Sequence, residues 1–158
     1  MPIRPARPGD ESIVLRFIRE LAEYEKLLHE VRGTEDALRE HLFGSHPACE
    51  VRIAEDDGGE PVGFALFFPK YSTFECAPVL HLEDLYVVPG RRGAGHGKAL
   101  LVEIARIARE RGCARLEWCV LDWNEPAIRF YESLGAKVLP DWKICRVDGA
   151  AIGKLADS

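Results

Sequence analysis

Three glycines at alternate positions mark the stretch of this sequence best suited to binding a phosphate group: Gly93, Gly95 and Gly97. An apolar, β-branched run that ends at Val88 precedes them, and residues 99–108, which have helical spacing, follow. The glycines therefore occupy a turn between a strand and a helix. Without a Cβ there, backbone N–H groups can converge on an anion at the positive end of the helix dipole. Three cationic side chains beside the turn supply matching charge: Arg91, Arg92 and Lys98. The sequence therefore predicts a phosphate-binding loop.

The spacing of the glycines limits which phosphate ligand the loop suits. A P-loop needs a glycine and a Ser or Thr where this chain has Arg92 and Ala99, which excludes that motif. A dinucleotide loop needs Gly-x-Gly-x-x-Gly, whereas the pattern here is Gly-x-Gly-x-Gly. Glu117 follows the glycines by about the number of residues that separates a dinucleotide loop from its ribose-binding acid. A dinucleotide-binding oxidoreductase therefore stays open as an alternative. A plain glycine turn with solvated arginines also stays open.

The length and the net charge of the chain limit the class of protein to which it can belong. The 158 residues predict one domain, 1–158, long enough to bury a core. The net charge of −5 excludes a surface that attracts nucleic acid, so an anionic ligand must be held by the local loop. No apolar run reaches membrane-spanning length, and residues 1–4 open a strand and not a signal peptide. We therefore predict a cytoplasmic protein with no membrane partner.

The cysteines and histidines show no metal-binding pattern. The five cysteines form no Cys-x-x-Cys pair and leave an odd count: Cys49, Cys76, Cys113, Cys119 and Cys145. Reduced, mostly buried thiols are the expectation from this pattern. The five histidines also lack ligand spacing. We predict no metal.

Hydrophobic periodicity predicts an α/β fold in the order βααβββαβαβ, with helices flanking a mixed central sheet. The predicted strands span 3–5, 49–55, 62–71, 79–88, 115–121 and 142–147. The predicted helices span 10–25, 34–43, 95–111 and 124–134, with Asp10, Thr34 and Asn124 as N-caps. This order places the glycine turn between the fourth strand and the third helix.

The motif Arg92-x-x-Gly95-x-Gly97 after a strand, together with this order of elements, resembles the Gcn5-related N-acetyltransferase (GNAT) superfamily over nearly the whole chain. Three further stretches resemble its diamine (spermidine/spermine) acetyltransferases and the related thialysine N-ε-acetyltransferases. These stretches are residues 19–26, residues 82–84, and residues 120–126 leading to Phe130-Tyr131. The loop Tyr71-Ser72-Thr73 is closer to the thialysine group, which favours a short diamine or a lysine-like amino acid over spermine.

The resemblance implies direct transfer of an acetyl group from acetyl-CoA to a primary amine of a small cationic acceptor: a diamine, a polyamine or a lysine-like amino acid. It implies acetyl-CoA contacts from a strand end, the glycine loop and two later residues: Leu85, Tyr86, Val87, Arg91, Arg92, Gly93, Ala94, Gly95, His96, Gly97, Lys98, Asn124 and Tyr131. The family is commonly homodimeric, with the segment 142–147 of this chain expected close to the partner subunit. A non-catalytic acyl-CoA-binding module is an alternative that needs the loop but neither Glu83 nor Tyr131.

The reaction implied by the resemblance requires a base. An alkylammonium has a pKa near 10.4, so freeing the amine at neutral pH costs about 4 kcal/mol. The resemblance favours Glu83 as this base, acting through water, with His81 as a neighbour. Strand alternation predicts that Glu83 and Asp84 lie on opposite faces, so that only one of them serves a given cleft. The alternative is a pair of carboxylates at a strand interruption, satisfied by backbone amides.

The remaining site residues also follow from the resemblance. Tyr131 matches the family's general acid for the leaving thiolate, and the alternative is an aromatic residue of the core. Asn124 matches a residue that binds the pantetheine amides, a role compatible with capping a helix. Tyr24 and Glu25, with Glu83, are the implied substrate-binding residues, where Glu25 pairs with a distal ammonium. For Glu25 the alternative is a solvated charge at a helix end.

Overall fold

A mixed five-stranded sheet forms the centre of Met1–Cys119, the larger of the two units into which the chain divides; the smaller unit is Val120–Ser158. The structure is a computed structural model that describes all residues from Met1 to Ser158. The strands are β1 (Ile3–Pro5), β2 (Glu50–Glu55), β3 (Pro61–Ser72), β4 (Ala77–Val87) and β5 (Arg115–Trp118). The helices of this unit are α1 (Glu11–Tyr24), α2 (Glu35–Phe43) and α3 (His96–Glu110).

The strands are arranged in the order in which they occur in the sequence. Strands β1 to β4 pair antiparallel with their neighbours, and β5 pairs parallel with β4 after the crossover through α3. A parallel pair requires such a crossover, because a tight turn can join only antiparallel strands. The α/β class and the mixed sheet flanked by helices are therefore confirmed.

The two faces of the sheet bury different helices. Val14 and Phe17 of α1 pack on a face that includes Phe64 and Tyr86, and the rings of Phe17 and Phe64 are stacked with centroids 5.7 Å apart. Helix α3 packs against β2, β3 and β4 through its apolar side: Leu100, Leu101, Ile104, Ile107 and Ala108. We name the first face of the sheet the α1 face. It carries the side chains that concern the candidate site.

Two helix starts differ in their chemistry. Thr34 caps α2 as predicted, since its Oγ1 accepts a hydrogen bond from the N–H of Ala37 at 3.2 Å. Asp10 precedes α1 but does not cap it; its carboxylate accepts hydrogen bonds from the Arg4 guanidinium and the N–H of Arg7, each at 2.7 Å. The guanidinium of Arg4 is the main cause of the lowered pKa of Asp10. An ion pair to β1 has therefore replaced the predicted cap.

The smaller unit, Val120–Ser158, contains two short helices, α4 (Glu125–Ser133) and α5 (Ala150–Ala156). Asn124 caps α4 as predicted, because its Oδ1 accepts from the N–H of Ala127 at 3.4 Å. The predicted strand at 142–147 is wrong: these residues have no regular structure, and α5 follows them. A strand forms only where a neighbouring backbone pairs with it, and no strand of the chain pairs with this segment.

The cysteines are free thiols, as expected, but the prediction that most are buried is wrong. Cys49 and Cys113 are half-buried, and Cys76, Cys119 and Cys145 are exposed. The exposed thiols lie where the chain leaves regular structure: the turn before β4, the end of β5 and the segment before α5. Chain turns and ends are at the surface, which outweighs the usual preference of a thiol for the core.

Candidate active site

The loop between β4 and α3 leaves a run of backbone N–H groups without backbone acceptors. The N–H groups of Arg91 and Arg92 close the 3-10 turn Pro89–Arg91, and the first bond of α3 runs from the N–H of Ala99 to the carbonyl of Gly95 at 2.9 Å. The intervening N–H groups donate to no backbone carbonyl: those of Gly93, Ala94, Gly95, His96, Gly97 and Lys98. Gly95 has a φ of +90°, a conformation that L side chains rarely adopt. The loop therefore has the uncovered donors that an anion site at a helix N-terminus needs.

The cations beside this loop are not equivalent. Arg91 forms an ion pair with Asp56 of the β2–β3 turn, with Nη2 2.7 Å from Oδ2. Arg92 donates from Nε to the carbonyl of Val87 at 2.9 Å. Lys98 is exposed and takes part in none of the ion pairs of the protein. Lys98 is therefore the cation most readily available to a phosphate.

The outer edge of β4 opens before the strand ends. The parallel ladder between β4 and β5 runs from Val79 opposite Arg115 to Leu82 opposite Trp118 and then stops. From Asp84 to Val87, β4 remains paired with β3 on its other side only. The predicted contact residues Leu85, Tyr86 and Val87 lie on this open stretch. An extended ligand with amide groups can pair with such an edge in the manner of an added strand.

A β-bulge interrupts β4 at the acidic pair. Leu66 and Phe67 are adjacent in β3, but their partners Asp84 and Leu82 are two residues apart, so Glu83 is the extra residue. Paired residues of antiparallel strands share a face, so Asp84 lies on the face of Leu66 while Leu82 lies on that of Phe67. The prediction that Glu83 and Asp84 lie on opposite faces rested on unbroken alternation and does not hold at a bulge.

The bulge brings His81 and both carboxylates to one side of β4. His81 is opposite Phe68, which places it on the α1 face together with Asp84. The Glu83 side chain is half exposed, and its Oε2 lies 3.4 Å from Nε2 of His81, as expected for neighbours. The His81 ring packs on Phe68 with centroids 5.0 Å apart, and its Nδ1 is buried without a hydrogen-bond partner.

Asp84 has the most perturbed carboxyl group of this region. Burial, together with the negative charges of Glu83 and Glu25, raises the pKa of Asp84 to about 7. Burial also raises the pKa of Glu25, which follows α1. The carboxyl groups of Asp84 and Glu25 thus share an environment that lacks a compensating cation. Such a group, poised to titrate near neutral pH, is suited to exchange a proton with a substrate.

The predicted substrate residue Tyr24 lies at the C-terminal end of α1. Its ring and the ring of Tyr86 in β4 both contact the side chain of Arg92. The guanidinium carbon of Arg92 lies 5.0 Å from the centroid of the Tyr24 ring and 5.7 Å from that of Tyr86. The Tyr86 hydroxyl donates to Glu20 of α1 at 2.8 Å, and burial raises the pKa of Tyr86 to about 12. The side chain of Arg92 therefore links the glycine loop to the C-terminal end of α1.

In the smaller unit, Asn124 is buried and its side chain caps α4. Tyr131 is half-buried on α4, and its ring lies 5.4 Å from that of Phe130 at an angle of 54°. The cap predicted for Asn124 is confirmed, and its role in binding pantetheine amides stays a prediction.

Sequence reasoning missed two features of the site. The first is the importance of Asp84. The sequence did contain a signal for it, because two adjacent acidic residues are unusual within a strand and a bulge is one way to accommodate them. The second is the direction of the Arg92 side chain, for which the sequence carries no signal. The chain contains no group of three or more His, Cys, Asp or Glu side chains arranged to hold a metal ion. None of its helices has the length and apolar character needed to span a membrane.

Several known proteins are similar to this chain over most of its length. Residues 16–136 match the acetyltransferase (GNAT) family. The chain is 42% identical to the thialysine N-epsilon-acetyltransferase of Bos taurus, over 98% of this chain and 96% of that protein. It is 30% identical to the L-ornithine N5-acetyltransferase NATA1 of Arabidopsis thaliana, over 95% and 85% of the two chains. Among solved structures, an integron cassette protein from V. cholerae superposes with a TM-score of 0.80 at 26% identity, covering 99% and 98% of the two chains.

The environment of Asp84 predicts a pH-dependent gain of stability on removing its charge. A carboxyl group whose pKa is raised by folding disfavours the folded state when ionised, so the cost is largest above about pH 7 and vanishes as the pH falls below the ordinary value of 3.8. Asp84→Asn should therefore raise the free energy of unfolding by roughly 2–4 kcal/mol at pH 8, since one pKa unit corresponds to about 1.4 kcal/mol. Urea denaturation at pH 8 and pH 4 measures the difference.

A matched control is Asp57→Asn, which removes the same charge from an exposed turn and should change stability by less than about 0.5 kcal/mol at either pH. A destabilised Asp84→Asn variant at pH 8 would show that Asp84 is not held in a charge-disfavouring environment.

Proposed function

The chain belongs to the acetyltransferase (GNAT) family and is an N-acetyltransferase, and we propose that it moves an acetyl group directly from acetyl-CoA to a primary amine of a small cationic acceptor. The acceptor class is a diamine, a polyamine or a lysine-like amino acid. Relatives of this chain are named for thialysine and for L-ornithine, both of which carry such an amine. The residues Tyr71-Ser72-Thr73, at the end of β3, support the shorter acceptors over spermine through the family resemblance.

One observation carries this proposal: β4 and the loop after it bear all the parts that the first half of the reaction needs. The edge of β4 past Leu82 is open, the loop that follows has uncovered N–H groups, and Glu83 and Asp84 lie at the bulge between the paired and the open stretch. A thioester donor and an amine acceptor can thus approach the same few residues. Holding two reactants in this way lowers the entropic part of the barrier.

The loop fits a CoA-type phosphate ligand. The N–H groups from Gly93 to Lys98 would bind the pyrophosphate, with Lys98 adding positive charge. The open edge of β4 at Leu85–Val87 would receive the amide groups of the pantetheine arm. We propose Asn124 and Tyr131 as further acetyl-CoA contacts from the family resemblance.

Acetyl-CoA supplies the thioester, whose carbonyl carbon the amine nitrogen attacks while the bond to sulfur breaks. Before this step the ammonium must lose a proton, and we propose that Glu83 receives it through water. Glu83 is exposed enough to meet solvent and the acceptor, and His81 lies within 3.4 Å to accept or return a proton. Asp84 adds a second carboxyl group, whose pKa is raised to about 7.

The departing thiolate needs a proton, and Tyr131 is the proposed donor. A phenol with a pKa near 10 gives its proton to a thiolate of pKa near 8.5 at a cost of about 2 kcal/mol, so its hydrogen bond contributes beside the transfer itself. For the acceptor, Tyr24 and Glu25 are the proposed binding residues. Glu25 has no basic partner among the ion pairs of the protein, which leaves its carboxylate for a distal ammonium.

We propose a cytoplasmic homodimer that has no nucleic-acid partner and no membrane partner. Five free thiols suit a reducing compartment, and the net charge of −5 disfavours nucleic acid. The dimer rests on the family resemblance and on exposed apolar side chains near the C-terminus: Leu139, Trp142, Ile144, Ile152 and Leu155. Exposed apolar groups in this number are typical of a surface that meets another protein.

The phosphate loop makes a prediction for Gly95→Ala. Acetyl-CoA should raise the Tm of the wild-type protein, because a ligand that binds only the folded state stabilises it. In Gly95→Ala most of this rise should disappear, since the added Cβ disturbs a loop residue with a φ of +90°. Differential scanning fluorimetry with and without acetyl-CoA measures the shift.

Gly112→Ala is the control for that measurement. Gly112 also has a positive φ, +67°, with open space around its Cβ position, but it lies after the far end of α3. It should lower the Tm without acetyl-CoA and keep the full rise on adding it. An equal ligand-induced rise in both variants would contradict the assignment of the loop.

The two proposed proton-transfer residues should differ in their response to pH. Glu83→Gln removes a base, so its loss of rate should be greatest at low pH, where the amine is protonated, and should shrink as the pH is raised. Tyr131→Phe removes a proton donor, so kcat should fall by roughly 10²–10⁴-fold at every pH while acetyl-CoA affinity is kept. Steady-state rates from pH 6 to 9, followed by thiol release across a panel of amines, provide the test. Full kcat in Tyr131→Phe with lost acetyl-CoA affinity would leave water as the acid.

The proposed assembly is tested by the mass of the protein in solution. Sedimentation equilibrium over a hundredfold range of concentration should give twice the chain mass of 17.7 kDa. Trp142→Asp introduces a charge at a side chain that is 72% exposed and should shift the mass towards the monomer. A wild-type protein that is monomeric at every concentration would refute the dimer.

A further inference from the structure

Glu117, the acidic residue downstream of the glycine loop in the sequence, lies on the α1 face of the sheet. It belongs to β5 and is opposite His81 of β4, and Phe68 of β3 is opposite His81 on the other side. Residues paired across a sheet share a face, so these three form one row. Glu83 follows His81 by two residues on β4. The Cα atoms of Glu83 and Glu117 are therefore roughly 8 Å apart, from the rise along a strand and the spacing between strands.

A lysine of the protein already holds the carboxylate of Glu117. Nζ of Lys70 lies 2.7 Å from Oε2 of Glu117. Lys70 is on β3, two residues after Phe68 and therefore on the same face, while Glu117 is on β5. Because β4 lies between β3 and β5, the lysine side chain crosses over β4 to reach its partner. Its ammonium group consequently lies on the α1 face, next to the row that contains His81.

This ion pair is accessible from solvent. The side chain of Lys70 is 46% exposed and that of Glu117 is 29% exposed. The other oxygen of Glu117 lies 3.8 Å from Arg115, whose guanidinium is also 2.9 Å from Glu75. Lys70 is thus the closer of the two cations, and its removal leaves a carboxylate oxygen that a ligand can reach. A partly exposed ion pair contributes little to stability, so removing it should not unfold the protein.

The carboxylates that suit a distal ammonium lie in opposite directions along β4. Glu25, the proposed partner, follows α1, whose last residue is linked through Arg92 to Tyr86 of β4. Tyr86 comes after Glu83 on β4, whereas Glu117 lies beside the residues that come before it. An acceptor whose reacting amine is at Glu83 can therefore extend either way. Only the direction towards Glu117 meets a carboxylate that is already paired.

We propose that Glu117 is a second ammonium subsite of the acceptor site and that Lys70 keeps it filled with an ammonium group of the protein itself. This inference rests on the proposed function and specifies the direction in which the acceptor lies. A span of roughly 8 Å from Glu83 suits the distal ammonium of a diamine with about four or five carbons. Lys70 holds that position in advance, so repulsion between like charges disfavours this direction and favours binding towards Glu25. Lys70 is therefore a specificity-determining residue.

The test is a second-site rescue that uses putrescine and n-pentylamine, in which a methyl group replaces the distal ammonium. The measured quantity is the ratio of kcat/KM for putrescine to that for n-pentylamine, followed by thiol release. Glu25→Gln should lower this ratio by about 10–100-fold, the scale of a charge-assisted hydrogen bond. Adding Lys70→Met, which keeps the length of the side chain without its charge, should raise the ratio again by at least about tenfold, because Glu117 is then free to pair with the distal ammonium.

Three control variants show whether the rescue comes from Glu117. Adding Glu117→Gln to the double variant should abolish it. Glu25→Gln with Lys70→Arg keeps a cation at the subsite and should show no rescue. Glu25→Gln with Arg109→Gln removes one positive charge from an exposed position of α3, on the opposite face of the sheet, and should also show none. A rescue in this last variant would mean that net charge alone sets the ratio, which would overturn the inference.

The other contrary results are distinct. A ratio that stays low in Glu25→Gln with Lys70→Met, or a rescue that survives Glu117→Gln, would overturn the inference while turnover of putrescine by the wild type keeps the proposed function. If Glu25→Gln alone leaves the ratio unchanged, Lys70→Met with and without Glu117→Gln decides: a rise that needs Glu117 supports the subsite, and no rise overturns it. Thiol release with neither amine, in protein that binds acetyl-CoA, would overturn the proposed acceptor class and the inference with it.

Discussion

The extra residue in β4 controls where the charged groups of the site lie. With unbroken alternation, Asp84 would share a face with Leu82, where α3 packs, and would lie on the opposite face of the sheet from His81. The bulge at Glu83 instead turns Asp84 towards α1 and frees Glu83 from the ladder. The pairing with β5 also ends at Leu82, one residue before the bulge. One irregularity thus coincides with the open edge and with the carboxylates beside it.

The net charge of −5 conceals a local arrangement of opposite charges. Of the cations beside the glycine loop, Arg91 is neutralised by Asp56 and Arg92 is directed towards aromatic rings, so backbone dipoles and Lys98 remain to hold a phosphate. Backbone N–H groups fixed at a helix N-terminus need no reorganisation when an anion binds, whereas a free side chain loses conformational entropy. The capacity of the loop to bind a phosphate therefore depends on its glycines more than on its arginines.

The sequence predicted the features that depend on local periodicity. The strand, glycine turn and helix around Gly95 follow from apolar spacing and from residues that favour turns, and their bounds agree within one or two residues. Two of the errors came from non-local pairing. Segment 142–147 has strand-like composition but no neighbouring strand, and the face of Asp84 depends on how β3 and β4 align. Register is a property of two strands together, so one strand's pattern does not determine it.

The acidic groups on the α1 face connect the stability of the fold with its ability to bind a cation. Burial and mutual repulsion raise the pKa of Asp84 and burial raises that of Glu25, so the folded protein holds these carboxyl groups at an energetic cost once they ionise. An ammonium group placed beside them favours their ionised forms and lowers both pKa values. Binding of the amine and release of protons from the site are then thermodynamically coupled. The repulsion between these carboxylates therefore becomes attraction for a cation placed beside them, which explains how a stable fold can retain an acidic cluster on β4.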